Sequence, residues 1–190
     1  MPIDPRAPYD DQNVFAKILR GEAPCVKIFE DDDVLAFMDI FPQSQGHCLV
    51  IPKNTTAWNL TDFPTERLGT YFAAVQKLTK AVIKALTPDG VVVTQYNGAP
   101  AGQTIFHLHV HVIPRYSNLP LQPHHGGKPA DIEVLREQAR RCRDILSKLT
   151  QLWSAGQPVD SMPLSSLIEE VVAPHRDFGF ALPRGGPRLR

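Results

Sequence analysis

The stretch HLHVHVIPR, residues 107–115, sets three histidines at alternate positions between apolar residues. Because side chains alternate between the two faces of a strand, His107, His109 and His111 are predicted to share one face. Same-face neighbours lie roughly 6.5–7 Å apart along a strand, so the middle imidazole can contact a reacting centre while the outer two reach groups beside it. The pattern predicts a strand over residues 105–113 that carries a row of imidazoles.

This row of imidazoles favours chemistry at phosphorus. A neutral imidazole is a nucleophile or base, its protonated form is a proton donor, and a pKa of about 6.5 lets both forms coexist near neutral pH. Nucleotidyl transfer depends on positioning and on neutralising the non-bridging oxygens, and attack by a histidine gives a labile phosphoramidate that water can resolve. The residues therefore predict an enzyme of phosphoryl or nucleotidyl transfer.

Two other interpretations of the three histidines are weaker. A purely structural row, flanked by Ile105 and Ile113, would carry the desolvation cost of several polar rings for no gain. A His-x-His pair is also a good Zn²⁺ ligand pair, which His47, or His124 with His125, could complete. Three same-face positions on an extended strand spread too far to converge on one ion, and the sequence assigns no other role to His124 and His125.

Five strands and three helices are predicted along the chain. Apolar and β-branched runs predict strands at residues 26–30, 34–40, 47–51, 91–96 and 105–113. Helical spacing predicts a short helix ending at Arg20 after a cap at Asp11 or Asn13, a long helix over 64–86 and a third over 132–149. This order predicts an α+β fold, with a mostly antiparallel sheet of about five strands, a short N-terminal helix, a long helix packed on the sheet and a C-terminal helical extension.

Composition narrows the class of function. The 190 residues include 20 Lys+Arg and 20 Asp+Glu, so the formal net charge is zero and the chain has no general field for nucleic acid or an anionic membrane surface. Three cysteines without a close pair indicate reducing surroundings. The start lacks a leader-like pattern and no apolar run is long enough to span a membrane, which predicts a cytoplasmic location.

The histidine row and its surroundings resemble the histidine triad (HIT) family. Residues 107–113 match its signature of histidines alternating with apolar residues, and the likeness extends over residues 13–53 and 97–115. The chain looks like a bacterial-type member of the Hint-like branch. We therefore expect a HIT domain over residues 13–150, preceded by a flexible N-terminal arm at 1–12 and followed by an extension of unknown role at 151–190.

The resemblance implies a role for each histidine of the predicted site. His109 would attack the α-phosphorus of a purine nucleotide and become transiently nucleotidylated. The backbone carbonyl of His107 would orient that ring through its other nitrogen. His111 would contact the phosphate or the leaving group, and His47 matches an additional active-site histidine of the family.

The resemblance also implies a nucleotide pocket. Asp39 would bind the two ribose hydroxyls, which one carboxylate can accept together. Ile40, with Phe15 and Ile18 from the first helix, resembles the apolar slot for the base, and core packing is the alternative for these three. The loop before the triad strand supplies a backbone that can approach phosphate closely, an amide and a hydroxyl. The candidates there are Asn97, Gly102, Gln103 and Thr104.

Cofactors and partners follow from the same resemblance. Some bacterial relatives hold a zinc ion with a Cys-x-x-Cys pair in the first helix, whereas Asn13 and Ala16 stand at those positions here. No metal and no organic cofactor is therefore predicted. Family members of this branch pair through the long helix and a sheet edge, which predicts a homodimer.

Two other functions stay open at the level of sequence. A dinucleoside polyphosphate hydrolase of the Fhit type has a triad strand that also ends in Pro-Arg, as Pro114 and Arg115 do here. A nucleotide-binding regulatory module could instead use residues 164–190, which include a predicted helix at 164–172, to dock a partner. The residues do not specify the physiological substrate or its leaving group.

Overall fold

The computed structural model describes residues 8–122 and 128–154. Two 3-10 turns, Thr65–Arg67 and Ala99–Ala101, accompany the regular elements. In chain order these elements are α1 (Val14–Leu19), β1 (Lys27–Glu30), β2 (Val34–Met38), β3 (Cys48–Pro52), α2 (Leu68–Leu86), β4 (Gly90–Thr94), β5 (Val110–Arg115) and α3 (Ile132–Ser154).

The strands form one sheet in the order β1-β2-β3-β5-β4, and every neighbouring pair is antiparallel. The strand that carries the last histidine of the row, β5, thus lies between β3 and β4. The sheet, the long helix α2 and the C-terminal helix α3 confirm the predicted α+β fold.

The two faces of the sheet carry different layers. Ala36 of β2, with Val110 and Val112 of β5, packs in the larger core beneath α2 and α3. Phe37 of β2 packs on the opposite face, in a smaller cluster with Phe15 of α1. Because neighbours on a strand alternate, His111, between those valines, faces the side of α1. The rings of His107 and His109 lie on the same side, where both meet the ring of Phe15 edge to face. This confirms that the histidines and the intervening apolar residues point to opposite faces.

The strand that carries the row is displaced from the prediction. The predicted bounds 105–113 are wrong at both ends, because β5 begins at Val110 and ends at Arg115. Pairing with β3 begins where Val110 faces Val50. Before that point the N–H of Leu108 donates to the carbonyl of Ala57 in a loop, 2.9 Å away, so no strand ladder forms there. The first two histidines of the row lie before the strand.

The strand continues through Pro114 because that residue breaks no ladder bond. The N–H of Asp89 donates to the carbonyl of Arg115 on the side of β4, so the backbone of Pro114 faces the other way. Pairing with β3 has ended at Val112, and the hydroxyl of Ser44 donates to the Pro114 carbonyl there at 2.5 Å. The missing N–H of proline thus faces a side without a strand.

The strand β4 is not the buried strand that its apolar run predicted for residues 91–96. It spans Gly90–Thr94 and pairs only with β5 among the described residues, so it is an edge of the sheet. Its side chains Val92 and Val93 are 38% and 45% exposed. An apolar strand can be covered by its own chain or by another molecule. In the described part of the chain, nothing covers the exposed side chains of β4.

The remaining element bounds differ by a few residues. The strand β2 ends at Met38 and β3 begins at Cys48, although the N–H of Asp39 still donates to the carbonyl of His47 at 3.0 Å. The long helix begins at Leu68 after a 3-10 turn, and α3 extends beyond residue 149. Asn13 caps α1 as predicted, by accepting from the N–H of Ala16 at 2.9 Å.

Several expectations concern residues that lie outside the described ranges. These are most of the arm at 1–12, His124 and His125, the helix predicted at 164–172 and nearly all of the extension at 151–190. The domain bounds stay predictions. Among the described helices, none combines the length and apolar character that a membrane crossing requires.

Candidate active site

The central histidine of the row is oriented by its own chain. Nδ1 of His109 lies 2.7 Å from the carbonyl oxygen of His107. A carbonyl only accepts hydrogen bonds, so Nδ1 carries the proton and the lone pair of the neutral ring lies on Nε2. This is the tautomer that a nucleophile acting through Nε2 requires.

The ring of His107 is buried between two hydrogen-bonding groups. Its Nε2 lies 3.0 Å from the carbonyl of Pro52 at the end of β3, and its Nδ1 lies 2.5 Å from the hydroxyl of Tyr9. Burial is the main cause that lowers the pKa of His107 to about 4, and the positive charge of a protonated His109 contributes to the same lowering. His107 is therefore a neutral ring whose Nε2 donates to Pro52.

Two more histidines form a pair beside this one. Nε2 of His47 lies 3.0 Å from Nδ1 of His111, and both rings are buried. The N–H of Gln43 donates to Nδ1 of His47 at 3.1 Å, so the proton of the neutral His47 ring lies on Nε2. His47 therefore donates to His111, and the proton of His111 lies on its Nε2. The rings of His109 and His111 meet edge to face, with centroids 4.9 Å apart.

The two backbone anchors thus select opposite tautomers for neighbouring rings. His109 has its lone pair on Nε2, whereas His111 has its proton on Nε2. A base or nucleophile stands next to a hydrogen-bond donor, which is an arrangement suited to an anionic group that is being attacked.

Asp39 lies at the edge of this pair, immediately after β2. One carboxylate oxygen accepts from the N–H of Phe41 at 2.8 Å, and the other lies 3.5 Å from Nδ1 of His47. The residue is buried, whereas its neighbour Ile40 is 47% exposed. That exposure rules out simple core packing for Ile40 and leaves an apolar surface beside the carboxylate.

The predicted apolar residues of α1 are placed differently from one another. Phe15 is buried with the cluster of Leu35 and Phe37, and its ring centroid lies 5.0 Å from that of His109. Phe15 is thus a core residue and at the same time a wall of the histidine row. Ile18 is half-buried and packs against the same cluster.

The loop before the row uses part of the predicted phosphate-binding set for its own structure. Gln103 is buried, with its Oε1 accepting from the N–H of Gly98 at 2.8 Å and its Nε2 donating to the carbonyls of Trp58 and Ile105 at 2.5 and 3.1 Å. The Asn97 side chain accepts from a backbone N–H of the facing loop, at 3.1 Å. Both side-chain amides therefore hold the loop in its conformation through hydrogen bonds to backbone groups. Because the Gln103 amide is buried and already bonded, it does not fit a direct contact with phosphate.

The other two loop candidates are accessible. Gly102 has a φ of +108°, and a Cβ there would lie 3.6 Å from the ring of Tyr96. The Tyr96 ring in turn meets His111 with centroids 5.6 Å apart. Gly102 and Thr104 are exposed, so the loop approaches the histidines through Tyr96 and leaves a backbone and a hydroxyl at the surface.

Four residues that orient the histidines were missed by the sequence reasoning. Gln43 and Pro52 act through backbone groups, which no residue type reveals. For Tyr96 the sequence predicts only that it ends a strand. Tyr9 lies 98 positions before its partner, and a local pattern carries no signal for such a contact.

One cluster in the described part of the chain could hold a metal ion. Ligand atoms of Asp39, His47 and His111 lie within 4.8 Å of one another. The hydrogen bonds already described occupy both nitrogens of His47, so a metal here would displace the bond to His111 or the bond from Gln43. In this structure these donors are joined to one another and to the backbone by hydrogen bonds.

Comparison with known proteins identifies relatives of this arrangement. Residues 20–118 match the family model described as HIT domain. The chain is 45% identical to Protein hit of Bacillus subtilis over 103 residues, which cover 54% of this chain and 70% of that protein. It is 43% identical to Adenylylsulfatase HINT3 of Arabidopsis thaliana over 102 residues, 54% of this chain and 51% of that protein. It is 41% identical to Adenosine 5'-monophosphoramidase hnt1 of Schizosaccharomyces pombe over 102 residues, 54% of this chain and 73% of that protein.

A solved structure agrees with these matches. The Hit-like protein involved in cell-cycle regulation from Bartonella henselae superposes with a TM-score of 0.68 at 48% identity, and the alignment covers 72% of this chain and 98% of that one. The family model alone spans more than half of the 190 residues. With the fold, the alternating histidines and these likenesses together, the chain belongs to the HIT (histidine triad) domain family and is related to its Hint-like members.

Proposed function

We propose that this protein is a nucleotide hydrolase that cleaves a purine nucleotide from a leaving group at the α-phosphorus, through a covalent nucleotidyl intermediate on His109. The preferred substrate class is a nucleoside phosphoramidate. The main observation that supports this proposal is the 2.7 Å hydrogen bond between Nδ1 of His109 and the carbonyl of His107. It directs the Nε2 lone pair of a neutral ring away from the backbone.

The neighbouring histidine supports this assignment by its opposite tautomer. The proton on Nε2 of His111 is suited to a hydrogen bond with a non-bridging oxygen or with the leaving group. His47 would keep that proton in place through its own bond to Nδ1 of His111, 3.0 Å long. Such a donor stabilises the charge that builds up on phosphorus during attack.

The proposed reaction has two displacements at phosphorus. Nε2 of His109 forms a bond to the α-phosphorus, and the bond to the leaving amine breaks with its electron pair on nitrogen. Water then attacks the same phosphorus, and the bond to His109 breaks. Overall, water supplies the hydroxyl that ends on the nucleoside monophosphate and the proton that ends on the amine, so the enzyme is regenerated without a cofactor.

The nucleotide would lie beside Asp39 and Ile40. The carboxylate of Asp39 would accept from the ribose hydroxyls, and the exposed Ile40, together with Phe15 and Ile18 of α1, would provide the apolar slot for the base. Gly102 and Thr104 would approach the phosphate or leaving group, while Asn97 and Gln103 would hold their loop in shape. This division follows from which of these side chains are exposed and which are committed to loop hydrogen bonds.

The names of two relatives support the reaction class. One is an adenylylsulfatase and another an adenosine 5'-monophosphoramidase, so both names describe cleavage next to an adenylyl phosphorus. We propose that this chain cleaves the same class of bond. The cytoplasmic location expected from the sequence stays a prediction.

The test compares substrates and variants of the whole chain. The purified protein is given adenosine 5'-phosphoramidate or a diadenosine polyphosphate, and product formation is followed by chromatography. We expect faster turnover of the phosphoramidate, and a loss of at least about a thousandfold in kcat for His109→Ala. His175→Ala, which removes an imidazole far along the chain from the row, is the matched control and should retain turnover. A faster reaction with the diadenosine compound would favour the Fhit-type alternative, and unchanged turnover in a folded His109→Ala protein would refute the proposal.

We also propose that two copies pair through the β4 edge and the adjoining helix α2. The edge exposes Val92 and Val93, and α2 exposes Phe72, which is 40% accessible. Exposed apolar side chains on an unpaired strand edge are a liability that a second copy would remove. Light scattering on a sizing column should give twice the chain mass, and Val93→Glu should shift the protein toward the monomer. A wild-type monomer at high protein concentration would contradict this pairing.

A further inference from the structure

Both ring nitrogens of His107 are engaged by groups from distant parts of the chain. Nε2 donates to the carbonyl of Pro52 at 3.0 Å, which leaves Nδ1 of the neutral ring as an acceptor. The hydroxyl of Tyr9 lies 2.5 Å from that nitrogen and can donate to it. The two rings meet edge to face, with centroids 5.8 Å apart.

Tyr9 is held next to His107 by the turn that starts α1. The N–H of Asn13 donates to the carbonyl of Asp10 at 3.3 Å, and the N–H of Gln12 donates to the Asp10 carboxylate at 2.9 Å. The guanidinium of Arg20, at the end of α1, donates to the carbonyl of Asp11 at 2.8 Å. Residues 10–13 are therefore fixed to the helix, and Tyr9 is the residue immediately before them.

A chain of contacts thus connects the start of the described structure to the proposed nucleophile. It runs from the Tyr9 hydroxyl to the ring of His107, and from the His107 carbonyl to Nδ1 of His109. We propose that Tyr9 is a positioning residue for His109: its hydroxyl holds the neutral, Nε2-protonated form of His107 and thereby the carbonyl that orients the nucleophile. This inference rests on the proposed function, since it assigns Tyr9 a part in the same site.

Loss of the hydroxyl has a definite chemical consequence. Nδ1 of His107 would lose its hydrogen-bond donor. Either a water molecule would then donate to Nδ1 or Nδ1 would itself be protonated, and the ring would be held less firmly. A proton there would put a positive charge beside His109, and that charge would draw electron density from the attacking ring. The Tyr9 hydroxyl contacts the His107 ring itself, and His109, which bonds to the His107 carbonyl, acts on that ring through its charge. The charges of Arg20, Asp10 and Asp11 act in turn on the Tyr9 hydroxyl.

The experiment uses Tyr9→Phe in the full chain, which removes one oxygen and keeps the ring. We expect kcat for adenosine 5'-phosphoramidate to fall about tenfold while KM changes less than about twofold, because one hydrogen bond to a positioning group is lost. The acid limb of the kcat profile should move to higher pH. Nitrogen-15 NMR of the histidine rings should show that His107 changes from one fixed tautomer to a ring that exchanges between tautomers or becomes protonated.

Tyr116→Phe serves as the matched control. It removes a hydroxyl that donates to the carbonyl of Gln45 at 3.3 Å.

The outcomes separate this inference from the proposed function. If Tyr9→Phe lowers only the melting temperature, and leaves kcat, its pH profile and the His107 signals as in the Tyr116→Phe control, Tyr9 is structural and the inference is wrong. If the His107 signals change but His109→Ala retains turnover, the contact is real and the proposed nucleophile is wrong. A changed NMR tautomer with a tenfold lower kcat supports both.

Discussion

His47 and His111 share a hydrogen bond 3.0 Å long, and the direction of its proton is fixed from outside the pair. The backbone N–H of Gln43 donates to Nδ1 of His47, so Nε2 of His47 must donate to Nδ1 of His111. A backbone group in the loop after β2 thus determines which nitrogen of His111 presents a proton.

Substitutions of His47 should separate the two bonds of its ring. Asparagine places an acceptor near the position of Nδ1, whereas glutamine places a donor near the position of Nε2. We expect His47→Gln to retain more activity than His47→Asn, and the asparagine variant to lose about tenfold to a hundredfold in kcat, as expected for the loss of one hydrogen bond to an ionisable group. Steady-state kinetics on adenosine 5'-phosphoramidate measure both variants. Equal activity in the two would mean that the donor to His111 has no part in the reaction.

The burial of His107 predicts how stability depends on pH. Its pKa is lowered to about 4 in the folded protein, against about 6.5 for an exposed ring. Between these two pH values His107 is protonated in the unfolded chain but neutral in the folded protein. The free energy of unfolding should therefore fall as pH decreases from about 6.5 to 4, by up to roughly 3 kcal/mol. Urea denaturation at several pH values gives this slope. His107→Gln keeps a donor for Pro52 but cannot titrate, and its slope should be shallower; an equal slope in both proteins would assign the effect to other groups.

Two glycines offer a test of the packing behind His47. Gly46 has a φ of +84°, and a Cβ there would lie 2.2 Å from Cδ1 of Leu86. Its N–H also donates to the side chain of Gln138 on α3, at 3.1 Å. Gly46→Ala should lower the free energy of unfolding by about 2–4 kcal/mol, from the backbone conformation and the overpacking together, and should lower turnover by shifting His47.

The matched control for this substitution is Gly69→Ala. Gly69 lies in α2 and a Cβ there would meet nothing within 4 Å. Alanine should therefore stabilise the helix by about 0.5–1 kcal/mol. Thermal and urea denaturation of both variants measure these effects, and a Gly46→Ala protein as stable as the Gly69→Ala protein would contradict the described packing.

The sequence predicts well on which face of the sheet each side chain lies. It predicts less well where a strand begins and which strands it pairs with. The alternation in residues 107–113 places imidazoles and apolar side chains on opposite faces, as observed, because that period is local. Where the strand begins depends on where β3 offers a partner, and the pairing starts only at Val110. Val92 and Val93 have the composition of a buried strand, yet their strand is the last one of the sheet.

The site residues divide in the same way. Asp39 and Ile40 could be noticed because a charge interrupts an apolar run, and the structure brings the former to 3.5 Å from Nδ1 of His47. Residue type alone suggests Gln103 as a phosphate ligand, but its amide bonds to two backbone groups of its own loop and to the carbonyl of Trp58 in a facing loop. Tyr9 could not be found, because its contact with His107 depends on how α1 packs against the end of β3.

The covalent step at His109 is the centre of the proposed reaction, and trapping the nucleotidylated histidine tests it directly. The protein is mixed with adenosine 5'-phosphoramidate, quenched in base within a single turnover and digested, and the peptides are analysed by mass spectrometry. An adenylyl group on His109, absent from the His109→Ala protein and lost as adenosine monophosphate appears, is the predicted result. An adenylyl group on another residue, or turnover with no labelled histidine at any quench time, would contradict the account.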